Sequence, residues 1–333
     1  MHTGQPEARF GNLRASELLE VTDDLQALGR GGRWAVAVGF EGQVVLARFG
    51  RWEASQPSTK AWDGVRGSWA SSLDEPAYTR CVRDVQAEIA RGWVYQVNLC
   101  RVLRAACDAD GVLGLYGRLA EMKGAFAGLL QLPEHGVHIA SASPERFLSL
   151  RGTALRSSPI KGTSASPTGF LVKDRAENVM IVDLVRNDLG RLAEVGSVVV
   201  EQLMSVESYP GLYHLVSSVA ADIGRHGWPD IFAATFPPGS VSGAPKSSAL
   251  EVIARVEPCS RQWYCGAFGW IDADTQRAEL GVAIRTFWLD GAELKFGTGA
   301  GITWGSDPVG EWRETELKAR RLIGLASADS VKR

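Results

Sequence analysis

Strand-like segments recur along most of the chain, and few helical patterns separate them. Strands are predicted at 34–40, 43–48, 94–103, 126–131, 138–142, 198–203, 212–220, 266–271, 278–287 and 293–297. Helices are predicted at about 74–92, 113–124, 169–189 and 308–325. A doubly wound parallel sheet requires helices that alternate with strands, and this order does not alternate. The sequence therefore predicts an α+β fold of long antiparallel sheets with inserted helices.

The charges of the chain are nearly balanced, with 36 Lys and Arg against 38 Asp and Glu. This balance excludes a global basic field, so an anionic ligand has to be held by local groups. Residues 1–13 lack a basic segment followed by an apolar run, and no window approaches the ~18 apolar residues of a membrane span. These features predict a cytoplasmic protein that binds neither nucleic acid nor membrane.

Two carboxylates lie on the apolar face of the long helix predicted at 169–189. The buried stripe of that helix is marked by Met180, Ile181, Leu184 and Val185. Glu177 lies three and four residues before the first two of these, and Asp174 is one turn further back on the same face. Because an isolated buried charge is unfavourable, these two side chains require a cation.

The last predicted helix repeats this arrangement. Asp307 and Pro308 form a start signal, and Glu311, Glu314 and Lys318 follow along one side at spacings of three and four. Clusters of carboxylate oxygens suit magnesium, which binds through one or two carboxylates and keeps positions open for water and substrate. Taken alone, each cluster favours a solvated or salt-bridged helix face over a metal site, and only the neighbouring motifs change that interpretation.

Six segments, in their order and spacing, resemble the chorismate-binding family, which includes anthranilate, aminodeoxychorismate, isochorismate and salicylate synthases. They are Tyr95-Gln-Val-Asn-Leu99, Ser143-Pro-Glu-Arg-Phe147, Pro159-Ile-Lys-Gly-Thr163, Glu177 to Gly190, Phe236 to Lys246, and Gly299-Ala-Gly-Ile302 leading into Ser306-Asp-Pro308. The resemblance implies large antiparallel β-sheets packed as a sandwich with flanking and inserted helices, as in anthranilate synthase component I.

The resemblance also implies a cofactor, Mg²⁺. Glu177 and Glu314 correspond to direct ligands, and Asp174 and Glu311 correspond to residues that act through water. The ion is expected to hold the ring carboxylate of chorismate.

The resemblance to the family also implies two catalytic side chains. Glu145 matches the general acid that protonates the departing 4-hydroxyl. In isolation, Glu145 would instead be interpreted as an ion-pair partner of Arg146 at a strand end. His214 matches a pocket histidine that positions substrate or moves a proton, although a lone histidine at the start of a strand is commonly structural.

The enolpyruvyl carboxylate of chorismate needs hydrogen-bond donors of its own. The family places an arginine and a tyrosine there, which match Arg285 and Tyr264. Gly299 and Gly301 would allow backbone amides to approach the same group. The remaining matched substrate-binding positions are Ser240 and Lys318.

Two positions discriminate among the reactions of the family. Gln96 stands where isochorismate and salicylate synthases carry a lysine that activates water, which disfavours water addition. Lys161 stands where anthranilate synthases usually carry alanine and aminodeoxychorismate synthases carry lysine. There the lysine amine attacks C2 as the 4-hydroxyl departs, and ammonia then enters at C4 as the lysine is released. Outside this motif, Lys161 would be interpreted as a surface lysine in a loop.

Residues 1–75 are interpreted as a supporting N-terminal subdomain, shorter than in longer family members, and residues 76–330 as the chorismate-binding catalytic region. No cysteine lies in the setting of an amidotransferase nucleophile. A glutamine amidotransferase partner subunit is therefore expected to supply ammonia. An anthranilate synthase component I and a non-catalytic chorismate-binding regulatory module remain as alternatives.

Overall fold

The computed structural model describes residues 4–56, 58, 60–164, 166–170, 172–209 and 212–327. The strands in these residues are β1 (Glu7–Phe10), β2 (Leu13–Thr22), β3 (Arg33–Val38), β4 (Val44–Ala54), β5 (Ala70–Ser71), β6 (Gln96–Ala106), β7 (Phe126–Leu132), β8 (Val137–Ser143), β9 (Arg146–Arg151), β10 (Ala154–Ser158), β11 (Ile160–Ser164), β12 (Val199–Tyr209), β13 (Leu212–Asp222), β14 (Gly243–Ala244), β15 (Ala267–Asp272), β16 (Arg277–Val282), β17 (Thr286–Asp290) and β18 (Glu293–Ile302). The α-helices are α1 (Glu75–Ala90), α2 (Leu113–Leu119), α3 (Val172–Gly190), α4 (Trp228–Thr235), α5 (Gly239–Ser242), α6 (Lys246–Val256) and α7 (Pro308–Ala326).

This architecture confirms the predicted α+β class. Within the described residues, the strands form one hydrogen-bonded network, and every pairing between named strands is antiparallel. Several pairs of consecutive strands, such as β3 and β4 or β7 and β8, turn back on one another. The helices are inserted between other strands and pack on the sheet, as α3 does on β13 and α7 on β18.

Two expectations differ from the structure. The strand predicted at 278–287 is divided into β16 and β17, because the chain turns between them and Arg285 adopts a φ of 53°. The helices α4, α5 and α6 were not predicted. They occupy a segment in which Pro237, Pro238, Gly239 and Gly243 interrupt any long apolar periodicity.

Strand pairing brings distant motifs together. β18 pairs with β6 from Glu293↔Ala106 to Ile302↔Val97, which sets Gly301 opposite Asn98. β11 pairs with β13 and places Thr163 opposite His214. The first register brings residues near 97 and 300 of the sequence together, and the second brings residues near 160 and 214 together.

The last helix, α7, is fixed at its start and along one face. The side chain of Asp307 accepts a hydrogen bond from the Gly310 amide at 2.7 Å, which caps the helix as predicted. Ala319, Leu322 and Ala326 are buried in a cluster that also contains residues of α2, β17 and β18. Apolar burial of this kind holds the helix against the sheet, and its polar face remains available to the site.

Strands on both sides of the division expected at residue 75 pair with each other. β1 pairs with β7, and β3 pairs with β15. The two-part organisation itself stays a prediction. No helix among the described residues combines the length and apolar character that crossing a bilayer requires.

Candidate active site

Glu145 is buried between β8 and β9, with only 4% of its surface exposed. Burial raises the pKa of its carboxyl group, and this effect outweighs a hydrogen bond from Ser240, the charge of Lys161 and a hydrogen bond from the Ile160 backbone, which all act in the opposite direction. Its Oε1 atom is buried without a hydrogen-bond partner among the described residues. Arg146 pairs instead with Glu279. Glu145 is therefore a buried carboxyl group whose protonated form is easier to populate than that of a solvated glutamate.

Lys161 lies on β11 and is partly buried beside Glu145. Burial lowers the pKa of its amine, and the nearby charges of Glu177 and Glu145 only partly oppose that effect. The next residue, Gly162, has a φ of 89°, and a side chain there would place its Cβ 2.9 Å from the Asp174 Cβ. The close packing of β11 on α3 thus brings the lysine to the carboxylates of that helix.

Glu177 and Glu311 present buried oxygens from two helices. The Oε1 of Glu177 and the Oε2 of Glu311 have no hydrogen-bond partner among the described residues. The other oxygen of Glu311 accepts a hydrogen bond from Ser306 at 2.6 Å. Burial raises the pKa of Glu177, and the charges of Asp174 and Glu311 add to the increase, whereas Lys161 and Lys173 oppose it. The two carboxylates therefore repel each other across the gap between α3 and α7.

Glu314 lies on the same side of α7 and pairs with Lys318 at 2.7 Å. Burial raises its pKa, but the ammonium groups of Lys318, Lys173 and Lys161 outweigh that effect, so the net pKa is lowered. The Lys318 Nζ also donates to the Gly299 carbonyl at 3.1 Å. Lys318 thus connects α7 to the glycine-containing end of β18.

The donors present are compatible with magnesium, although they do not form a complete cage. No group of three or more His, Cys, Asp or Glu side chains among the described residues is arranged to hold a metal ion. Magnesium uses only one or two protein carboxylates and completes its shell with water and substrate oxygens. The bare oxygen of Glu177 fits a direct ligand of that kind, and the bare oxygen of Glu311 fits an acceptor for metal-bound water.

Every second residue of β18 lies against protein side chains that are proposed to bind the substrate. Successive side chains of a strand point to opposite faces, so Gly297, Gly299 and Gly301 share one face. A Cβ at Gly301 would overlap the Gln96 amide and lie 3.6 Å from the Glu177 Oε2. A Cβ at Gly297 would overlap the Tyr264 ring. The absence of side chains on this face leaves room for Gln96, whose Oε1 is buried and unpartnered within the described part of the chain.

His214 and Arg285 form a neighbouring part of the site. Burial, together with the charge of Arg285 and against a hydrogen bond with the Gly162 backbone, lowers the pKa of His214 to about 4. His214 is therefore neutral near pH 7. Arg285 holds its left-handed conformation while its carbonyl accepts a hydrogen bond from the Ala142 amide at 3.0 Å. A non-glycine residue in this conformation is strained, a property that is common at ligand sites.

The predicted residues therefore fall into connected groups. Electrostatic and hydrogen-bond contacts join Glu145, Lys161, Ser240, Lys318 and the acids of α3 and α7. Tyr264 precedes β15 and lies against Gly297 of β18, in a buried cluster with Cys100 and Cys265, which help burial to raise its pKa. Among the described residues, no such contact joins it to Glu145 or Lys161. Sequence reasoning missed Lys173 and Ser306, which both contact Glu311; helical spacing from Glu177 would have indicated the first.

Comparisons with known proteins show the family and the fold of the chain. The family model described as chorismate binding enzyme matches residues 33–324. The chain belongs to that family. As a member of the chorismate binding enzyme family, it is 35% identical over 313 residues to aminodeoxychorismate synthase component 1 of Salmonella typhimurium, covering 87% of this chain and 68% of that protein.

A second relative has a different name. Anthranilate synthase component 1 of Streptomyces coelicolor is 37% identical over 281 residues, covering 80% of this chorismate-binding chain and 54% of the relative. Among solved structures, anthranilate synthase component I from Streptococcus pneumoniae superimposes with a TM-score of 0.79 at 22% identity, covering 96% of this chain and 90% of that one. That structural likeness confirms the expected fold.

Proposed function

We propose that this protein is an aminodeoxychorismate synthase component I, which converts chorismate and ammonia into 4-amino-4-deoxychorismate. The observation that carries the proposal is the proximity of Lys161 and Glu145 in one buried region. Burial lowers the pKa of the amine and raises the pKa of the carboxyl group. These are the directions that a neutral nucleophile and a general acid require.

The proposed reaction uses the neutral form of Lys161 and the protonated form of Glu145. The lone pair of the Lys161 amine forms a bond to C2, the ring double bonds shift, and the C4–O bond breaks while Glu145 donates its proton, so the hydroxyl leaves as water. Ammonia then attacks C4, the double bonds shift back, and the C2–N bond breaks to release Lys161. The original positions of the ring double bonds are restored. The enolpyruvyl group takes no part in these steps, so the product retains it.

The other residues of the site bind and orient the substrate in this proposal. Glu177 and Glu314 hold magnesium directly, with Asp174 and Glu311 acting through water, and the ion supplies positive charge for the ring carboxylate. Arg285 and Tyr264 are proposed for the second carboxylate, with the amides of Gly299 and Gly301. Neutral His214 orients substrate through a hydrogen bond and does not act as a cationic acid near neutral pH.

Ammonia is proposed to come from glutamine through a partner amidotransferase subunit. The related Salmonella typhimurium protein carries the name component 1, which implies a second component for that protein. Ammonium salt serves as the ammonia source in the first assay, so that the chemistry of this chain is measured without a partner.

The test is product analysis by chromatography and mass spectrometry after incubation with chorismate, magnesium and ammonium salt. We expect an amine that retains the enolpyruvyl group and that an aminodeoxychorismate lyase converts to 4-aminobenzoate. Lys161→Ala removes the nucleophile. Lys161→Arg keeps a positive charge beside Glu145 and Glu177 but cannot attack C2, so both variants are expected to lose C4 amination. Normal product from the Lys161→Arg variant would show that amination requires a positive charge at position 161 and not a nucleophile.

Anthranilate synthase component I is the second candidate, favoured by the 37% identity to the Streptomyces coelicolor enzyme. That activity would release pyruvate and form anthranilate in the same assay, and lysine at position 161 argues against it. Chorismate binding without any turnover would instead support a regulatory module. The single assay therefore separates all three functions.

A further inference from the structure

Lys173 places a positive charge inside the proposed metal-binding cluster. It lies in the first turn of α3, one turn before Glu177, and its Nζ is 3.5 Å from the Oε1 of Glu311 on α7. The side chain of Lys173 is 46% exposed, whereas that of Glu311 is 4% exposed. One end of the ion pair is thus fixed, and the other reaches in from solvent.

Lys173 also lies within electrostatic reach of the carboxylates of Glu177 and Glu314, in addition to its contact with Glu311. These three acids are among those proposed to surround magnesium. Its ammonium group therefore interacts with the same negative charges that a divalent ion would use.

We propose that Lys173 is an internal counter-cation of this carboxylate cluster, and that a divalent cation bound among these acids displaces its ammonium group from Glu311. The inference rests on the proposed function in one respect, the assignment of magnesium to these acids. Metal entry is then an exchange of one cation for another, and the apparent metal affinity is lower than the carboxylates alone would give.

The contacts around Glu311 permit this exchange. Ser306 holds the Oε1 atom at 2.6 Å independently of Lys173, and the Oε2 atom is bare among the described residues. The long, half-exposed lysine side chain can turn into water while the carboxylate stays in place. Before exchange, the ion pair lowers the repulsion between Glu311 and Glu177.

The first test is titration of the full chain with MgCl₂ alone by isothermal calorimetry, without chorismate. Lys173→Met removes the competing charge, and we expect the Kd for Mg²⁺ to fall by about threefold or more. The matched control is Arg175→Met, which removes an equal charge from an exposed position two residues along the same helix. We expect the Kd of the control to stay within about twofold of the wild-type value, since exposed charges are screened.

A second measurement uses the wild-type protein, so it does not depend on how a variant folds. Trace labelling of lysines with acetic anhydride, read by peptide mass spectrometry, is expected to increase at Lys173 when MgCl₂ is added, with exposed Lys123 unchanged. An unchanged or weaker Mg²⁺ affinity in Lys173→Met, or labelling of Lys173 that does not respond to Mg²⁺, would overturn the inference. Absence of Mg²⁺ binding in every form would overturn it as well, while the amination assay would still test Lys161 separately.

Discussion

The Nζ of Lys246 lies 2.6 Å from the Oδ2 of Asp188, and it also donates to the Thr235 carbonyl at 2.9 Å. Burial raises the pKa of Asp188 to about 6 against the charge of Lys246, and burial lowers the pKa of Lys246. Both residues belong to segments that carry the family resemblance. Their pairing joins α3 to the start of α6, which is a structural role within a catalytic motif.

The Asp188–Lys246 pair should contribute strongly to stability. Asp188→Asn leaves the Lys246 ammonium mostly buried without a counter-charge, so we expect a loss of roughly 3–5 kcal/mol in the free energy of unfolding. The double variant Asp188→Asn, Lys246→Met removes both charges and is expected to recover part of that loss. Urea denaturation of the two single variants and the double variant measures the coupling. Additive losses would mean that the pair does not act as a unit.

Glu145 and Lys161 predict a bell-shaped pH dependence of the amination rate. Activity falls at acid pH when Lys161 is protonated, and at alkaline pH when Glu145 loses its proton; because the groups are coupled, the two limbs belong to the pair. We expect Glu145→Gln to lower kcat by about 10²–10⁴. Ser240→Ala removes a hydrogen bond that lowers the pKa of Glu145, so the limb of the profile that Glu145 governs should move to higher pH. A profile in which both limbs stay in place would remove Glu145 as a cause of the pH dependence.

His214 predicts a specific loss of stability in acid. Its pKa is about 4 in the folded protein and 6.5 when unperturbed, so the unfolded chain binds a proton first as the pH falls. The contribution of His214 is fully present above about pH 6.5 and is lost progressively down to about pH 4, in total about 3 kcal/mol. His214→Asn should therefore show a shallower decline of unfolding free energy across this window. Parallel curves for the two proteins would contradict the assignment.

The bare face of β18 predicts a position-specific effect of an added methyl group. A Cβ at Gly301 would overlap the buried Gln96 amide, whereas one at Gly305 has open space around it. We expect Gly301→Ala to raise the KM for chorismate or abolish turnover, and Gly305→Ala to behave as the wild type. Steady-state kinetics on both variants, with circular dichroism to confirm folding, gives the comparison. Equal behaviour of the two alanine variants would place the substrate elsewhere.

The long helices and strands could be predicted because the spacing of their apolar residues is a local property of the sequence. The start of α7 was predicted from its capping residues, and the structure confirms it. The inward direction of Glu177 on α3 was predicted from the apolar spacing of that helix, and Ile181 and Val185 on the same face are buried in the structure. The break at Arg285 was not predictable, since an apolar run does not reveal a single residue with positive φ. The helices between 228 and 256 were missed because prolines and glycines conceal short helices that tertiary packing supports.

The sequence by itself determined which chemical groups the site contains and on which face of each helix they lie, because the helical and strand repeats are fixed by backbone geometry. Only the tertiary structure decided that Lys161 of β11, Glu145 before β9 and the acids of α3 and α7 share one region, since strand pairing and packing join segments more than 100 residues apart. Burial also belongs to the tertiary structure. It sets the protonation states of Glu145, Lys161 and His214, because desolvation depends on everything that surrounds a group and not on its neighbours in sequence.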